Sequence, residues 1–257
     1  MLLAAGSPAW DLYDHLISVV PEDLEVGDCL AGLNWFLVRS VGVGVSMRPL
    51  EANGPVRNAG HLLGMKLRDL AIWVKSWNEY ESAMGLAAIN SVLNAPRSVR
   101  ANCAGRLSET NEDIFVYMRD RMRGKNVAVI GHFLGLERVA EICNLSILER
   151  RLQPGDLPDS ACEYMLGEQD IVVLTATTLI NKTMPRLLTL SRGATIVVAG
   201  PTTPLHSLMF DFGIKILGGL VVEDEVSVWR AVTEGGQREI FSAGSRMVTV
   251  SVHHELS

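Results

Sequence analysis

Aromatic residues are sparse, at 6% of 257 positions, and the four cysteines (Cys29, Cys103, Cys143 and Cys162) stand far apart with no C-x-x-C pair. A chain of this length with 48% hydrophobic residues can bury a sizeable core without disulfide staples, so the thiols are expected to be reduced, in a cytosolic setting. Dense basic runs are also missing. The 23 Lys and Arg face 29 Asp and Glu, for a formal net charge of −6, and this balance argues against a nucleic-acid partner. No stretch offers the roughly 18 uninterrupted apolar residues of a membrane span. The opening Met1-Leu2-Leu3-Ala4-Ala5 has no basic flank and is too short for a signal core, so a soluble, non-exported protein is expected. Neither internal repeats nor low-complexity tracts occur.

Several chemical signatures are absent too. His15, His61, His132, His206, His253 and His254 show no H-x-x-x-H or H-E-x-x-H spacing, which excludes the common zinc patterns. His253-His254 reads as a terminal tail. There is no G-x-S-x-G elbow, no G-K-[ST] phosphate loop and no complete G-x-G-x-x-G. No catalytic triad can be named.

What is present is a set of apolar runs that stop at small or polar residues. Residues 127–130 end at Gly131-His132-Phe133, residues 171–174 at Thr175-Ala176-Thr177-Thr178, and residues 195–199 at Gly200-Pro201-Thr202-Thr203. Continuous Val/Ile/Leu runs suit parallel strands covered on both faces, and open α/β sheets bind ligands beyond the carboxyl ends of their strands. Alternating patterns extend this sheet: helices over 112–123, 134–143, 181–190, 206–212 and 224–234, and further strands over 145–149, 214–217 and, at an edge, 247–252. The first hundred residues differ. Helical spacing over 10–20 stops at Pro21, three short strands are expected at 25–30, 35–40 and 42–47, a Gly/Asn/Pro-rich loop covers 51–64, and helices span 67–75 and 78–93. Residues 97–110 are polar and read as a crossover. The expected organisation is a small α+β domain over residues 1–105 followed by a Rossmann-like, mainly parallel three-layer αβα domain over 106–257.

Gly131 through Gly135 occupies the first strand-to-helix turn, where a tight bend and an anion-facing helix start are equal readings. Glu149 ends the second strand, where Rossmann domains place the acid that accepts ribose hydroxyls, although charged residues also close strands as ordinary solvated groups. Thr175, Thr177, Thr178, Asn181 and Thr183 are more hydroxyls and amides than helix capping requires, which favours ligand contacts. Gly200, Pro201 and Thr202 add a rigid turn beside them. Asn78, Glu81 and Gly85 stand at i, i+3 and i+7, so they share a helix face, and a carboxylate there needs a partner or a ligand unless it only complements the helix dipole. Loose metal-ligand candidates are His132, Glu149, Glu81 and Cys29.

Lys75-Ser76-Trp77-Asn78 with Glu81 and Gly85-Leu86-Ala87-Ala88-Ile89-Asn90, then Gly131-His132-Phe133, Glu149-Arg150, Gly155-Asp156-Leu157-Pro158, the Thr175, Thr177, Asn181 and Thr183 series and Gly200-Pro201-Thr202-Thr203-Pro204, together resemble the heavy-metal chelation domain family over nearly the whole chain. The resemblance implies an enolase N-terminal-like domain, a Rossmann-like domain and a site in the cleft between them. The quoted residues are mostly hydroxyls, amides and carboxylates, whereas soft metals favour thiolates and imidazoles. Chelation would therefore call for an organic chelator or a mixed site.

Two functions stay open on the sequence. One is a handling protein for a metal ion or metal chelate. The other is an enzyme using a nucleoside-containing cofactor, S-adenosylmethionine or a dinucleotide. A scaffold would leave the threonine cluster unexplained. The expected partner is a small-molecule or metal ligand, and homo-oligomer formation is left open.

Overall fold

The computed structural model describes residues 8–50, 54–108 and 111–252. Met1 to Ala5, Glu51, Thr110 and the His253-His254 pair lie outside the described residues. Leu12, Tyr13 and Leu16 form the buried side of helix α1 (Asp11–Ser18), which stops short of Pro21. An antiparallel meander follows: β1 (Asp28–Ala31), β2 (Trp35–Arg39) and β3 (Val43–Met47). Helix α2 (Leu67–Ala71) tightens into a 3-10 turn at Ile72–Lys75 and leads to α3 (Glu79–Leu93). Asn78 caps α3, its side chain accepting from Tyr80 N at 3.0 Å.

Small residues let α3 be enclosed on most sides. A Cβ on Gly85 would lie 2.3 Å from Val74 N, and one on Gly44 would lie 2.0 Å from Ala87 O. The two glycines thus permit the 3-10 turn and β3 to touch the helix backbone.

Helix α4 (Pro96–Asn102), strand β4 (Leu107–Ser108) and the short helices α5 (Ile114–Tyr117) and α6 (Arg119–Met122) lead to the large sheet. Its remaining elements are β5 (Asn126–Ile130), α7 (Leu136–Ala140), β6 (Asn144–Glu149), β7 (Leu157–Pro158), α8 (Cys162–Met165), β8 (Ile171–Thr175), α9 (Met184–Leu190), β9 (Thr195–Ala199), β10 (Ile214–Val222), α10 (Glu225–Thr233) and β11 (Ser245–Ser251). The strand order is β4-β11-β10-β9-β8-β5-β6-β7. From β10 to β7 all neighbours are parallel, whereas β11 and β4 are antiparallel. Counted from β5, the parallel strands take the order of a doubly wound Rossmann sheet, with the switch between β5 and β8.

Val127, Val129, Val173 and Val197 pack with Phe115, Met118 and Leu136 on one face. Ala128, Ile130, Val172, Leu174 and Val198 join the core of α1 and α3 on the other. This two-sided cover is why the strands read as unbroken apolar runs. The meander's second face, with Trp35, Leu37, Val43 and Val45, packs on Leu220, Val222 and Val228. Among the described residues no helix is long and apolar enough to cross a membrane.

Several boundaries differ from the sequence expectation. The first meander strand starts at Asp28, leaving Glu25 only an isolated bridge to Lys66. The polar crossover contains α4 and ends in β4, whose Leu107 and Ser108 pair with Val250 and Thr249. β11 is consequently an inner strand, not the edge. The expected helix over 112–123 is two short ones, because Asp113 caps at Phe115 N and starts the first late. β10 runs on through Gly218 and Gly219, where Cβ atoms would lie 3.2 Å from Ile114 and 2.8 Å from Leu205. Those glycines mark close packing, not a break.

Candidate functional site

The carboxyl ends of β5, β6 and β8 open into a cleft of about 680 Å³, which Met47, Arg48 and Glu79 close from the meander and α3 side. Gly131 at the end of β5 has φ 97°, and a Cβ there would lie 2.8 Å from Thr175 Cγ2. Only glycine lets these adjacent strand ends meet with that backbone shape. His132 lines the cleft. Its Nδ1 lies 3.5 Å from Asp156 Oδ2, on a side chain only 2% exposed. The same Asp156 oxygen accepts from Gln153 N at 2.9 Å. A proton on Nδ1, the nitrogen nearer this buried carboxylate, would leave Nε2 as the acceptor or metal-binding nitrogen.

Glu149 lines the neighbouring wall, and its Oε1 accepts from Arg150 N at 2.7 Å and Arg151 N at 3.4 Å. Thr175 and Thr177 share a hydroxyl hydrogen bond at 3.0 Å, and Thr178 Oγ1 donates to Thr175 O at 2.6 Å. Asn181 Oδ1 accepts from Thr183 Oγ1 at 2.7 Å and Thr183 N at 3.2 Å. The helix expected from Asn181 begins only at Met184, so Asn181 and Thr183 belong to the loop that lines the cleft. The structure therefore brings Gly131, His132, Glu149, Thr175, Thr177, Asn181 and Thr183 to one place.

The other candidates sit elsewhere. Phe133 packs edge-on against Phe115 with ring centroids 5.4 Å apart, behind the cleft wall. Gly200, Pro201 and Thr202 form the turn under the meander, with Thr202 Oγ1 accepting from Met47 N at 2.9 Å. Asn78 donates to Pro55 O at 2.9 Å. Glu81 accepts from Ser76 Oγ at 2.6 Å and from Arg57 Nη2 at 2.7 Å. Burial alone would raise the Glu81 carboxyl, but the hydrogen bonds from Ser76 and Arg57 outweigh it and hold the group below its ordinary value. Glu81 thus has the partner its helix position demanded. Cys29 lies on β1, where burial and the charge of Asp28 push its thiol up.

Sequence reasoning missed several residues of the lining. Arg186 pairs with Glu163, and Arg150 lies 3.5 Å from Glu79. Arg48 donates to Tyr80 Oη at 2.7 Å and rests over that ring. Cys162 lines the cleft, but burial, helped by Asp159 and Glu163, pushes its thiol up to about 11. At neutral pH it is a thiol and a weak metal ligand. Among the described residues no group of three or more His, Cys, Asp or Glu is placed to hold a metal ion. The donor set does not form a self-sufficient cage for a soft metal. Of the residues around the cleft named here, Arg150 and Asp156 had a signal in the sequence, in the Glu149-Arg150 and Gly155-Asp156-Leu157-Pro158 segments.

Fold and cleft define a mixed α/β protein with an open pocket at the carboxyl edge of a mainly parallel sheet. Within that class the chain belongs to the DUF364 family, whose profile matches residues 113–251, while residues 13–93 match the DUF4213 profile. Both families carry the description "Putative heavy-metal chelation". A DUF364 protein of unknown function from Desulfitobacterium hafniense DCB-2 is 39% identical, with a TM-score of 0.87 over 95% of this chain and 98% of that one. A DUF364 protein from Pyrococcus horikoshii, 21% identical, shares the fold with a TM-score of 0.77 over 95% of this chain and 99% of its own. An uncharacterised protein of Methanocaldococcus jannaschii is 26% identical across 93% of this chain and 94% of its length.

Proposed function

We propose that the cleft binds a metal ion already held by a small organic chelator, with His132 supplying one protein donor. The observation that carries this reading is the combination of a pocket of about 680 Å³ with a single Asp-backed imidazole and no three-residue metal cage among the described residues. A bare soft ion would find too few ligands, whereas a chelate brings most of its own and needs shape, hydrogen bonds and one open position filled. The hydroxyls of Thr175, Thr177 and Thr183 and the guanidinium of Arg48 are suited to a chelator's oxygens. The family description supports the metal, and the scattered free thiols support a reducing, cytosolic setting. On this reading the cleft lies between the modules formed by residues 1–105 and 106–257.

Native mass spectrometry of gently purified protein is the direct test, with metal and an organic mass expected together. Equilibrium dialysis against Cu(II)-nitrilotriacetate supplies a defined probe. Asp156→Asn, which loosens the imidazole without removing it, should weaken that binding by about 10–100-fold. Binding unchanged by both Asp156→Asn and His132→Gln, or a stoichiometric metal with no organic mass, would overturn the proposal.

A second reading, an enzyme binding a nucleoside-containing cofactor (S-adenosylmethionine or a dinucleotide), draws support from the strand order and from Glu149 at the end of β6 beside the switch point. Against it, α7 has only five residues and offers no long helix start to a pyrophosphate. Glu149→Ala should weaken adenosine-compound binding by roughly 1.5–3 kcal/mol if that carboxylate grips a ribose. Equal affinity in the variant removes the role.

A further inference from the structure

Among the described residues, Ser46 Oγ, Asn90 Oδ1 and Thr203 Oγ1 are buried without a hydrogen-bond partner. All three residues are fully enclosed, as are Ser82, Ser91 and Ser191, but those serines each donate to a backbone carbonyl. Buried hydroxyls and amides are nearly always bonded to protein or to ordered water, so three orphans call for a cause. They belong to three elements that meet at one seam. Asn90 Nδ2 donates at 2.9 Å to both Val45 O and Thr202 O, the chain neighbours of Ser46 and Thr203. Ser46 lies on the same face of β3 as Gly44, where an added Cβ would lie 2.7 Å from Asn90 C. Thr203 is fixed from the same helix, since its carbonyl accepts at 2.9 Å from Nδ2 of Asn94, one turn beyond Asn90.

We infer that this seam is a binding site for a buried water molecule, which bridges Ser46, Asn90 and Thr203 and so joins the meander, α3 and the turn after β9. The orientation of the Asn90 amide is settled, because both Nδ2 hydrogens go to carbonyls, and Oδ1 is left needing a donor. Ser46 and Thr203 each have a hydroxyl proton to place. A water molecule accepts both of those protons and gives one of its own to Asn90 Oδ1. Those are about three hydrogen bonds, the usual number for a buried water. A metal cation would suit three oxygens but would leave both hydroxyl protons unplaced, and none of the three side chains carries a charge to balance it. The site adjoins the cleft without belonging to it. Met47, next to Ser46, lines the cleft and donates its N–H to Thr202 Oγ1 at 2.9 Å, whereas none of the three orphaned residues is part of the lining. The water is therefore scaffold behind the meander wall and not a subsite for ligand.

A high-resolution crystal structure of the full chain tests this directly. Density for a water within hydrogen-bond distance of at least two of the three atoms is expected. Density at one or none of them, or direct hydrogen bonds among the three side chains, overturns the proposal. Soaking with rubidium separates a cation from water, and an anomalous peak at the seam overturns the water. Thr203→Val and Ser46→Ala give a second readout, whose sign differs between a dry seam and a hydrated one. In a dry seam each change removes an unsatisfied group, and the thermal midpoint holds or rises. Where a water is bound, each change takes away one of its partners and should lower the midpoint by about 2–4 °C. Because both hydroxyls lean on one molecule, the double variant should lose less than the sum of the two. A midpoint unchanged or raised in either single variant, or a strictly additive double, overturns the shared bridge. If a variant misfolds, the wild-type density alone decides the question. Metal and chelator enter none of these readouts, so they stand or fall separately from the chelate reading.

Discussion

At the scale of single residues, what the sequence announced was chemistry type, and what it hid was partnership. His132, Glu149 and the threonine series stood at strand ends, so parallel-sheet geometry alone gathered them. Glu81 shows the converse. Its helix position demanded a partner, and no periodicity could reveal that Arg57, from a loop 24 residues earlier, would supply one. Lys182 was equally hidden, since its positive φ of 68° and the hydrogen bond that its Nζ donates to Ser82 Oγ at 2.7 Å exist only in three dimensions. Glu81 also yields a pH prediction. Its folded-state carboxyl lies below the ordinary value, so the network stabilises the fold fully above the unfolded-state value and is lost as pH falls through the folded-state value. Glu81→Gln should lower the unfolding free energy at pH 7 by on the order of 1–3 kcal/mol and flatten its decline below about pH 4.5. Urea denaturation at a series of pH values checks this, and an acid limb as steep as the wild type's would show that other carboxylates carry it.

At the scale of elements, periodicity found the strands more faithfully than the helices. β5, β8 and β9 were legible because burial on both faces forces an unbroken apolar run, here bounded by turn residues at the strand ends. The short helices were not, because α5, α6 and α7 have four, four and five residues and their ends are set by tertiary contacts. Glycine was the most misleading letter. In β10 it signals close packing, and in α3 the same holds for Gly85, which a helix-propensity argument would replace by alanine to advantage. The structure gives the opposite sign. An added methyl would meet backbone atoms Val74 N and Trp73 C at 2.3 and 2.7 Å, and backbone cannot swing aside as a side chain can. Gly85→Ala should therefore destabilise by about 1–3 kcal/mol or more through overpacking, against a propensity gain of up to about 1 kcal/mol. A thermal melt distinguishes the two, and a raised midpoint would mean the 3-10 turn at Ile72–Lys75 yields easily.

At the scale of the whole molecule, the meander side of the cleft is set by the relation between the meander and the large sheet, which Asn90 of α3 and Asn94 at its C-terminal cap bridge. Asn90 Nδ2 donates to Val45 O of the meander and Thr202 O of the large sheet's turn, each at 2.9 Å. Asn94 donates to Thr203 O at 2.9 Å and Leu220 O at 3.2 Å and accepts from Leu205 N at 2.8 Å. Replacing Asn94 by alanine strands three buried backbone groups at once. At about 1–3 kcal/mol for each buried group left unsatisfied, the loss is several kcal/mol unless water enters. The loss should not fall evenly. α3 remains clasped by Gly44 and Gly85 on its own side, so the junction with the large sheet is the part that weakens. Wild-type protein should unfold in one step, with tryptophan fluorescence, weighted to Trp10, Trp35, Trp73 and Trp77, coinciding with far-ultraviolet dichroism from the sheet. In Asn94→Ala both midpoints should fall and the two transitions should separate. Cu(II)-nitrilotriacetate binding should weaken in the same variant, because Met47 and Arg48 approach the cleft from the meander side. Coincident transitions with an unshifted midpoint would mean that apolar packing of Val45 on Leu220 and Val222, not the asparagine bridge, fixes the relation between the sheets.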